Sequence, residues 1–374
     1  GNWRKYSKAG GFRKYYGLSI FILRWHNNGN ELRANENAGI GSSKYFGKPH
    51  ICWSKLTSSK TSFRAEDTDV WFDDASPAII GCEDIPAVTA YMNSNLVSTL
   101  LNVINPTLNY QSGDISKIFV PKDNYLKLAS NNGSMLINIA REDWNSYETS
   151  WEFTELHLLN PNVYNNNIEI TYQKLLTQWQ ENTKKMQHFE EENNQIFTNL
   201  YELNQEINID IPLQEITLSC NPPYRYGPGK MDEEYEALQR ADTMRELISY
   251  AIGCMMGRYS LDEPGLIYAH SGNEDFEPSH YTTFPADEDG IIPIMDGEWF
   301  DDDTAIRFVD FVRTVWPAET LDENLKFVAD SLDPKKGETP METIRRFIST
   351  KFFKEYHLKV YKKRPIYWLF SSGK

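Results

Sequence analysis

The sequence is poor in cysteine and has no long apolar run. Its four cysteines, Cys52, Cys82, Cys220 and Cys254, include no C-x-x-C pair, which argues against a zinc ribbon and against a disulfide scaffold. No apolar stretch approaches the roughly 18 residues that a membrane-spanning helix needs, and the first residues show no apolar signal-peptide core. We therefore expect reduced thiols, a cytoplasmic location and no membrane partner.

Acidic residues are scarce at the start of the chain, although the whole chain is acidic. The 374 residues carry a formal net charge of −15, yet residues 1–64 hold 12 Lys and Arg against Glu31 and Glu36 and so carry +10. The other 310 residues carry −25, and the stretch 262–303 has 13 Asp and Glu without a Lys or Arg. The net charge alone therefore does not exclude a polyanionic partner. We interpret the acidic stretch as solvated loops remote from such a partner.

The basic segment is interleaved with aromatic residues, which favours nucleic acid as the partner. Cations displace the counterions of a phosphate backbone, and aromatic rings can stack on bases. The densest run, Trp3–Tyr16, also contains the Gly10-Gly11 pair, which would let a loop approach a backbone closely. A solvated basic loop is the alternative. The predicted DNA contacts are Lys8, Arg13, Lys14, Lys44, Lys55, Lys60 and Arg64.

The hydrophobic pattern predicts an α+β protein in three parts. Short β-type runs up to residue 150, interrupted by one helix over 85–104, indicate a mixed α/β domain. A seam of apolar residues at intervals of three and four from Tyr172 to Leu203 predicts a long spacer helix within residues 151–206. Residues 207–374 read as a mostly helical domain that is cut at its end, because the predicted strand Arg364–Phe370 is followed by a turn with no partner strand. Its helices are predicted over 231–259, 303–316, 320–332 and from a capping box at Thr339 to about His357.

One tetrapeptide has the form of a catalytic motif. Asn221-Pro222-Pro223-Tyr224 follows a predicted strand, Ile216–Cys220, as an N-P-P-Y loop does in methyltransferases that act on the amino group of a flipped adenine. Such an enzyme also needs a strand and a Gly-rich turn for the methyl donor, and the sequence contains no F-x-G-x-G element. The alternative is a Pro-rich connector. We expect this chain to bind no cofactor and no metal itself.

Several longer stretches resemble one family. Trp3–Gly17 is similar to the start of the target-recognition region of the large adenine-specific DNA methyltransferases of bacterial phage-exclusion (BREX) systems, the PglX type. Similar stretches follow in order: Ile51–Thr57, Tyr91–Asn95, Leu101–Asp114, Asp143–Trp151, Glu191–Phe197, Gly257–Leu266 and Lys363–Ser372. The first three of these also resemble target-recognition domains of type I specificity subunits.

The resemblance implies a DNA-recognition module of a methyltransferase that uses S-adenosylmethionine to modify adenine at N6 in phage defence. In that family the donor-binding fold and the catalytic N-P-P-Y lie upstream, and an Asn-Pro motif leading into Tyr-Arg-Tyr stands at the place of Asn221. The implied partners are double-stranded DNA, the upstream methyltransferase domain and other phage-defence proteins. Two alternatives stay open: a catalytic segment that uses Asn221–Tyr224, and a scaffold that docks defence proteins.

Overall fold

The computed structural model describes residues 2–8, 10–41, 43–57, 60–269, 275–288 and 290–361. The chain divides into two compact units, and neither is continuous in sequence. The first unit comprises Gly1–Trp144 and Gln180–Pro228, and the second comprises Asn145–Trp179 and Gly229–Lys374. These boundaries differ from the predicted division at 150 and 206, because residues 180–228 return to the first unit. The predicted strand Arg364–Phe370 lies outside the described residues.

Two three-stranded sheets lie in the first unit. Their strands are β1 (Trp3–Tyr6), β2 (Phe21–Arg24), β3 (His50–Trp53), β4 (Phe63–Glu66), β5 (Val70–Trp71) and β6 (Ala78–Ile80). One sheet has the order β2-β1-β5, in which β1 pairs antiparallel with β2 and parallel with β5. The other has the order β4-β3-β6 and is antiparallel throughout. Strand β3 is the middle strand of the second sheet and is buried along its whole length.

Helices cover one apolar core of the first unit. They are α1 (Asn30–Arg33), α2 (Ile85–Met92), α3 (Asn95–Ile104), α4 (Ser112–Ile115), α5 (Asp123–Asn145), the second part of α6 (Ile168–Leu200), and α7 (Pro222–Arg225). The core joins strands β3 and β4 to α2, α3, α5 and α6 through Trp53, Phe63, Tyr91, Leu126 and Phe197. The expectation of a mixed α/β region followed by a long helix and a helical remainder is therefore confirmed.

The second unit is helical. Besides the first part of α6 it contains α8 (Asp232–Met255), α9 (Thr304–Val315), α10 (Leu321–Asp330), α11 (Pro340–Arg346), a π-helix (Phe347–His357) and α12 (Leu358–Tyr361). The predicted capping box at the start of α11 is present, since Thr339 and Glu342 bond reciprocally. The core of the second unit includes the buried Tyr250, Phe308, Phe311 and Phe347.

Three local predictions were wrong. The helix predicted over 85–104 is two helices, because Ser94 accepts a hydrogen bond from the Val97 N–H and starts a new one. The strand predicted over Ile216–Cys220 is a turn region with no ladder partner among the described residues. The 23-residue helix α5 was missed, since its Asn131-Asn132-Gly133 run is typical of a turn.

The described residues contain no helix that is both long and apolar enough to span a membrane. All four cysteines are free thiols, three of them buried.

Candidate nucleic-acid interface

Arg13, one of the predicted DNA contacts, lies inside the first unit. Its side chain is 2% exposed. The guanidinium donates to the Asp143 carboxylate at 2.9 Å, to the Ala140 carbonyl at 3.0 Å and to the Tyr16 carbonyl at 2.7 Å. It also lies over the Trp144 ring, 5.0 Å from the centroid. The donors that would bind phosphate are therefore used to join the N-terminal segment to helix α5.

Asp143 completes this buried network. Its carboxylate also accepts the backbone N–H groups of Ser219, at 2.7 Å, and Cys220, at 2.9 Å. Burial by itself would raise the pKa of the Asp143 carboxyl, but Arg13 and the two N–H donors hold it below its ordinary value. The Asp143 carboxylate thus ties the segment before α7 to Arg13.

Lys14 and Arg64 are also interior residues. Lys14 forms an ion pair with Glu190 of α6, and its backbone N–H donates to the Thr217 hydroxyl at 2.9 Å. Arg64 is 0% exposed, and its three guanidinium nitrogens have no hydrogen-bond partner among the residues that the structure describes. The structure therefore gives no support to the prediction that Arg13, Lys14 and Arg64 contact DNA, because all three cations are buried.

The other four predicted contacts lie at the surface. Lys55 and Lys60 already pair with carboxylates, Lys55 with Asp74 and Lys60 with Glu215, each at 2.6 Å. Lys8 and Lys44 are exposed, and neither has a carboxylate within ion-pair distance in the described part of the chain. Of the predicted set, Lys8 and Lys44 are thus the cations most available to an anionic ligand.

Lys44 belongs to a cluster that we call the Lys44 patch, formed by Arg33, Lys44, Tyr45 and Lys48. The ammonium groups of Lys44 and Lys48 lie 4.9 Å and 5.8 Å from the centroid of the Tyr45 ring. The Arg33 guanidinium donates to Ser43 Oγ at 3.2 Å and lies 5.8 Å from the Trp25 ring centroid. Its three cations and one ring therefore form an exposed basic surface with aromatic character.

Packed aromatic residues fix the position of this patch. Phe46 stacks on Trp71 with 4.5 Å between ring centroids, and Trp25 meets the same ring edge-on at 4.2 Å. Tyr45 and Phe46 line a cavity of about 520 Å³. The seven predicted DNA contacts do not include Arg33 and Lys48, although both are among the 12 Lys and Arg of residues 1–64. The fold places their side chains beside Lys44 and Tyr45.

The Asn221–Tyr224 tetrapeptide has a structural role. Asn221 is 2% exposed, and its side-chain amide donates to the carbonyls of Leu213 and Ile216, both at 2.7 Å. The Tyr224 hydroxyl donates to the Phe12 carbonyl at 2.5 Å, and burial raises the pKa of this phenol. An amide and a ring that are used in this way cannot hold a flipped base, so the geometry agrees with a Pro-rich connector.

Within the described ranges, no group of three or more His, Cys, Asp or Glu side chains is placed to hold a metal ion. His280 pairs instead with Glu263, at 2.6 Å. His270 and Glu274 lie outside the described residues.

A buried carboxyl near the Lys44 patch makes the stability of the first unit depend on pH. Glu66 of β4 accepts from the Ser19 hydroxyl at 2.5 Å and from the Cys52 thiol at 3.5 Å. Burial raises its pKa from 4.5 to about 7. Between pH 4.5 and about 7 the folded state keeps a proton that the unfolded state releases. The free energy of unfolding therefore falls as the pH rises through this range, and Glu66 causes no further change above about pH 7.

We expect Glu66→Gln to remove this contribution, which has a slope of about 1.4 kcal/mol per pH unit for one group. Urea unfolding of both proteins at about pH 5, 6, 7 and 8 measures the difference between their curves. Both proteins contain the buried His50, whose pKa burial lowers, so its contribution to the pH dependence is the same in both curves and drops out of their difference. Parallel curves across this range would contradict a raised pKa for Glu66.

Two relatives match the entire chain. It is 40% identical to "Adenine-specific methyltransferase BrxX" of Escherichia coli O9:H4 (strain HS), of which it covers 31%. It is 34% identical to "Adenine-specific methyltransferase PglX" of Lacticaseibacillus casei (strain Zhang), of which it covers 30%. No family model matches the chain. The chain thus spans about 30% of the length of these relatives.

Proposed function

Because the chain belongs, as a segment, to the family of the BrxX and PglX adenine-specific methyltransferases, we propose that it is the DNA-recognition module of such an enzyme. In this proposal the parent protein uses S-adenosylmethionine to methylate adenine at N6 within a defined site, and the modification serves phage defence. The observation that carries the proposal is the Lys44 patch. It is an exposed group of cations around a tyrosine in a chain whose net charge is −15.

The module would bind the duplex and leave the chemistry to other parts of the polypeptide. The Lys44 patch and Lys8 would neutralise phosphates, which fixes orientation without selecting sequence. Side chains of the same unit would read base edges in the major groove. The catalytic alternative lacks support because the Asn221 amide is hydrogen-bonded internally. The methyltransferase domain of the parent would hold the donor.

The proposal predicts a loss of DNA affinity in the double variant Lys44→Glu/Lys48→Glu. Each phosphate contact contributes about 0.9 to the slope of log affinity against log salt, so the slope should fall by about two. We expect affinity for a mixed-sequence duplex of about 30 base pairs to drop at least ~10-fold at about 0.1 M salt. Fluorescence anisotropy over a salt series measures both quantities.

The matched control is Lys184→Glu/Lys185→Glu. These lysines are exposed, lie in the first unit on α6, and change the net charge by the same amount. If both double variants lose affinity equally, binding depends on net charge and the Lys44 patch is not the contact surface. Absence of duplex binding by the wild type even at about 50 mM salt would refute the proposal itself.

A further inference from the structure

The acidic part of the second unit exposes large apolar side chains, which the interpretation as solvated loops does not explain. Over residues 291–303, which we call the acidic loop, large apolar side chains stand in solvent among the carboxylates. Trp299 is 73% exposed and Phe300 is 53% exposed, and Ile291 and Ile294 are also about half exposed. Asp and Glu side chains are well hydrated at a surface. An exposed Trp-Phe pair leaves apolar area in contact with water, and a bound partner would bury that area.

The acidic loop is held in one conformation at its base. Arg345 of α11 is 7% exposed, pairs with the buried Asp303, and donates to the Gly297 carbonyl at 3.1 Å. Thr304 donates to the Pro293 carbonyl through its backbone N–H, at 2.9 Å, and through its hydroxyl, at 2.8 Å. Both ends of the segment 293–303 are thus tied to helices α9 and α11.

The tip of the acidic loop is ordered by local contacts. The backbone N–H of Trp299 donates to the Gly297 carbonyl at 3.2 Å, and the backbone N–H of Asp303 donates to the Phe300 carbonyl at 3.3 Å. A Cβ atom on Gly297 would lie 3.0 Å from the indole nitrogen of Trp299, so glycine lets the indole lie close to the backbone. A loop backbone held in this way loses little conformational entropy when the loop is bound.

The charges around the tip define the partner. Asp296, Asp301 and Asp302 are exposed, and the stretch 262–303 has no Lys or Arg. We infer that the acidic loop is a docking site for a protein segment rich in Lys and Arg that also offers apolar side chains to Trp299 and Phe300. The aromatic pair would supply the central contact, and the carboxylates would supply the surrounding charge complementarity. This inference does not depend on the proposed DNA-binding function.

The test is a selection of random 16-residue peptides displayed on phage, with the 374-residue chain as bait and its Trp299→Ser/Phe300→Ser variant for counter-selection. We expect the enriched peptides to combine Lys or Arg with apolar residues. A synthetic copy of one should bind the wild type by fluorescence anisotropy and lose at least ~10-fold in affinity to the aromatic variant. Asp296→Asn/Asp301→Asn/Asp302→Asn should weaken binding and flatten its salt dependence.

Leu266→Ser is the matched control, because Leu266 is also exposed in the second unit and should leave the affinity unchanged. No enrichment, enrichment of acidic or uncharged peptides, or equal binding to the aromatic variant would each overturn the inference. A second copy of the chain is the other occupant to test. Dimerisation that is seen by analytical ultracentrifugation and abolished by Trp299→Ser/Phe300→Ser would assign the acidic loop to self-association and contradict a separate basic partner.

Discussion

Replacing Asp143 by alanine should destabilise the first unit by about 3–5 kcal/mol, because the substitution leaves a buried charge without its partner. Arg13 would keep its positive charge at 1% exposure, with only neutral acceptors around it. The backbone N–H groups of Ser219 and Cys220 would lose their acceptor as well. Urea unfolding followed by tryptophan fluorescence measures the loss.

The control for Asp143→Ala is Asp67→Ala. Asp67 forms an ion pair with Arg141 at 3.1 Å on the surface of the same unit, with more than half of its side chain exposed. Exposed pairs of this kind contribute about 0–1 kcal/mol, so the control should remain close to wild type. An equally small effect of Asp143→Ala would show that Arg13 finds another counter-charge or becomes hydrated when Asp143 is absent.

This network changes how charge-reversal experiments should be designed. Arg13→Glu would place a second carboxylate beside Asp143, and Lys14→Glu would place one beside Glu190. Both substitutions should lower DNA affinity by unfolding the first unit rather than by removing a phosphate contact. The exposed Lys44 and Lys48 are the positions at which a change of charge reports on the surface alone.

Sequence patterns predicted those parts of the fold that depend on neighbouring residues. Strand β3 is one of the short β-type runs predicted before residue 150, and the capping box at Thr339 starts α11 as expected. The partner of Arg13 could not be predicted in this way, since Asp143 lies 130 positions along the chain. A count of charges records that both residues exist but not that they are buried together. For the same reason the sequence could not show that three of the seven predicted DNA contacts, Arg13, Lys14 and Arg64, are buried.

Helix α5 illustrates a second limit. Its Asn131-Asn132-Gly133 run has poor helix propensity, so local preference argues for a turn. The helix forms because apolar residues on one face, among them Leu126, Leu136 and Ala140, are buried in the first unit. Tertiary packing thus overrides propensity here. The glycine in this run has a role of its own, because the backbone of α2 passes directly over it.

Gly133→Ala should lower the free energy of unfolding of the first unit by about 3 kcal/mol, at the upper end of what overpacking costs. An added Cβ would lie 2.2 Å from the Pro86 carbonyl oxygen and 2.6 Å from its carbon. These are backbone atoms in the first turn of α2, so no side chain can rotate away to make room. The gain in helix propensity from alanine is only about 1 kcal/mol and does not offset the clash.

Asn138→Ala is the matched control, because Asn138 is an exposed residue of the same helix and should change stability by no more than about 0.5 kcal/mol. If Gly133→Ala were instead stabilising by about 1 kcal/mol, propensity would dominate, and α2 and α5 would have to lie further apart than in this structure. Unchanged stability would require α2 to shift at no cost. That outcome is disfavoured because Asp84 caps α2 through the Ala87 N–H, and Tyr91 anchors the helix in the core.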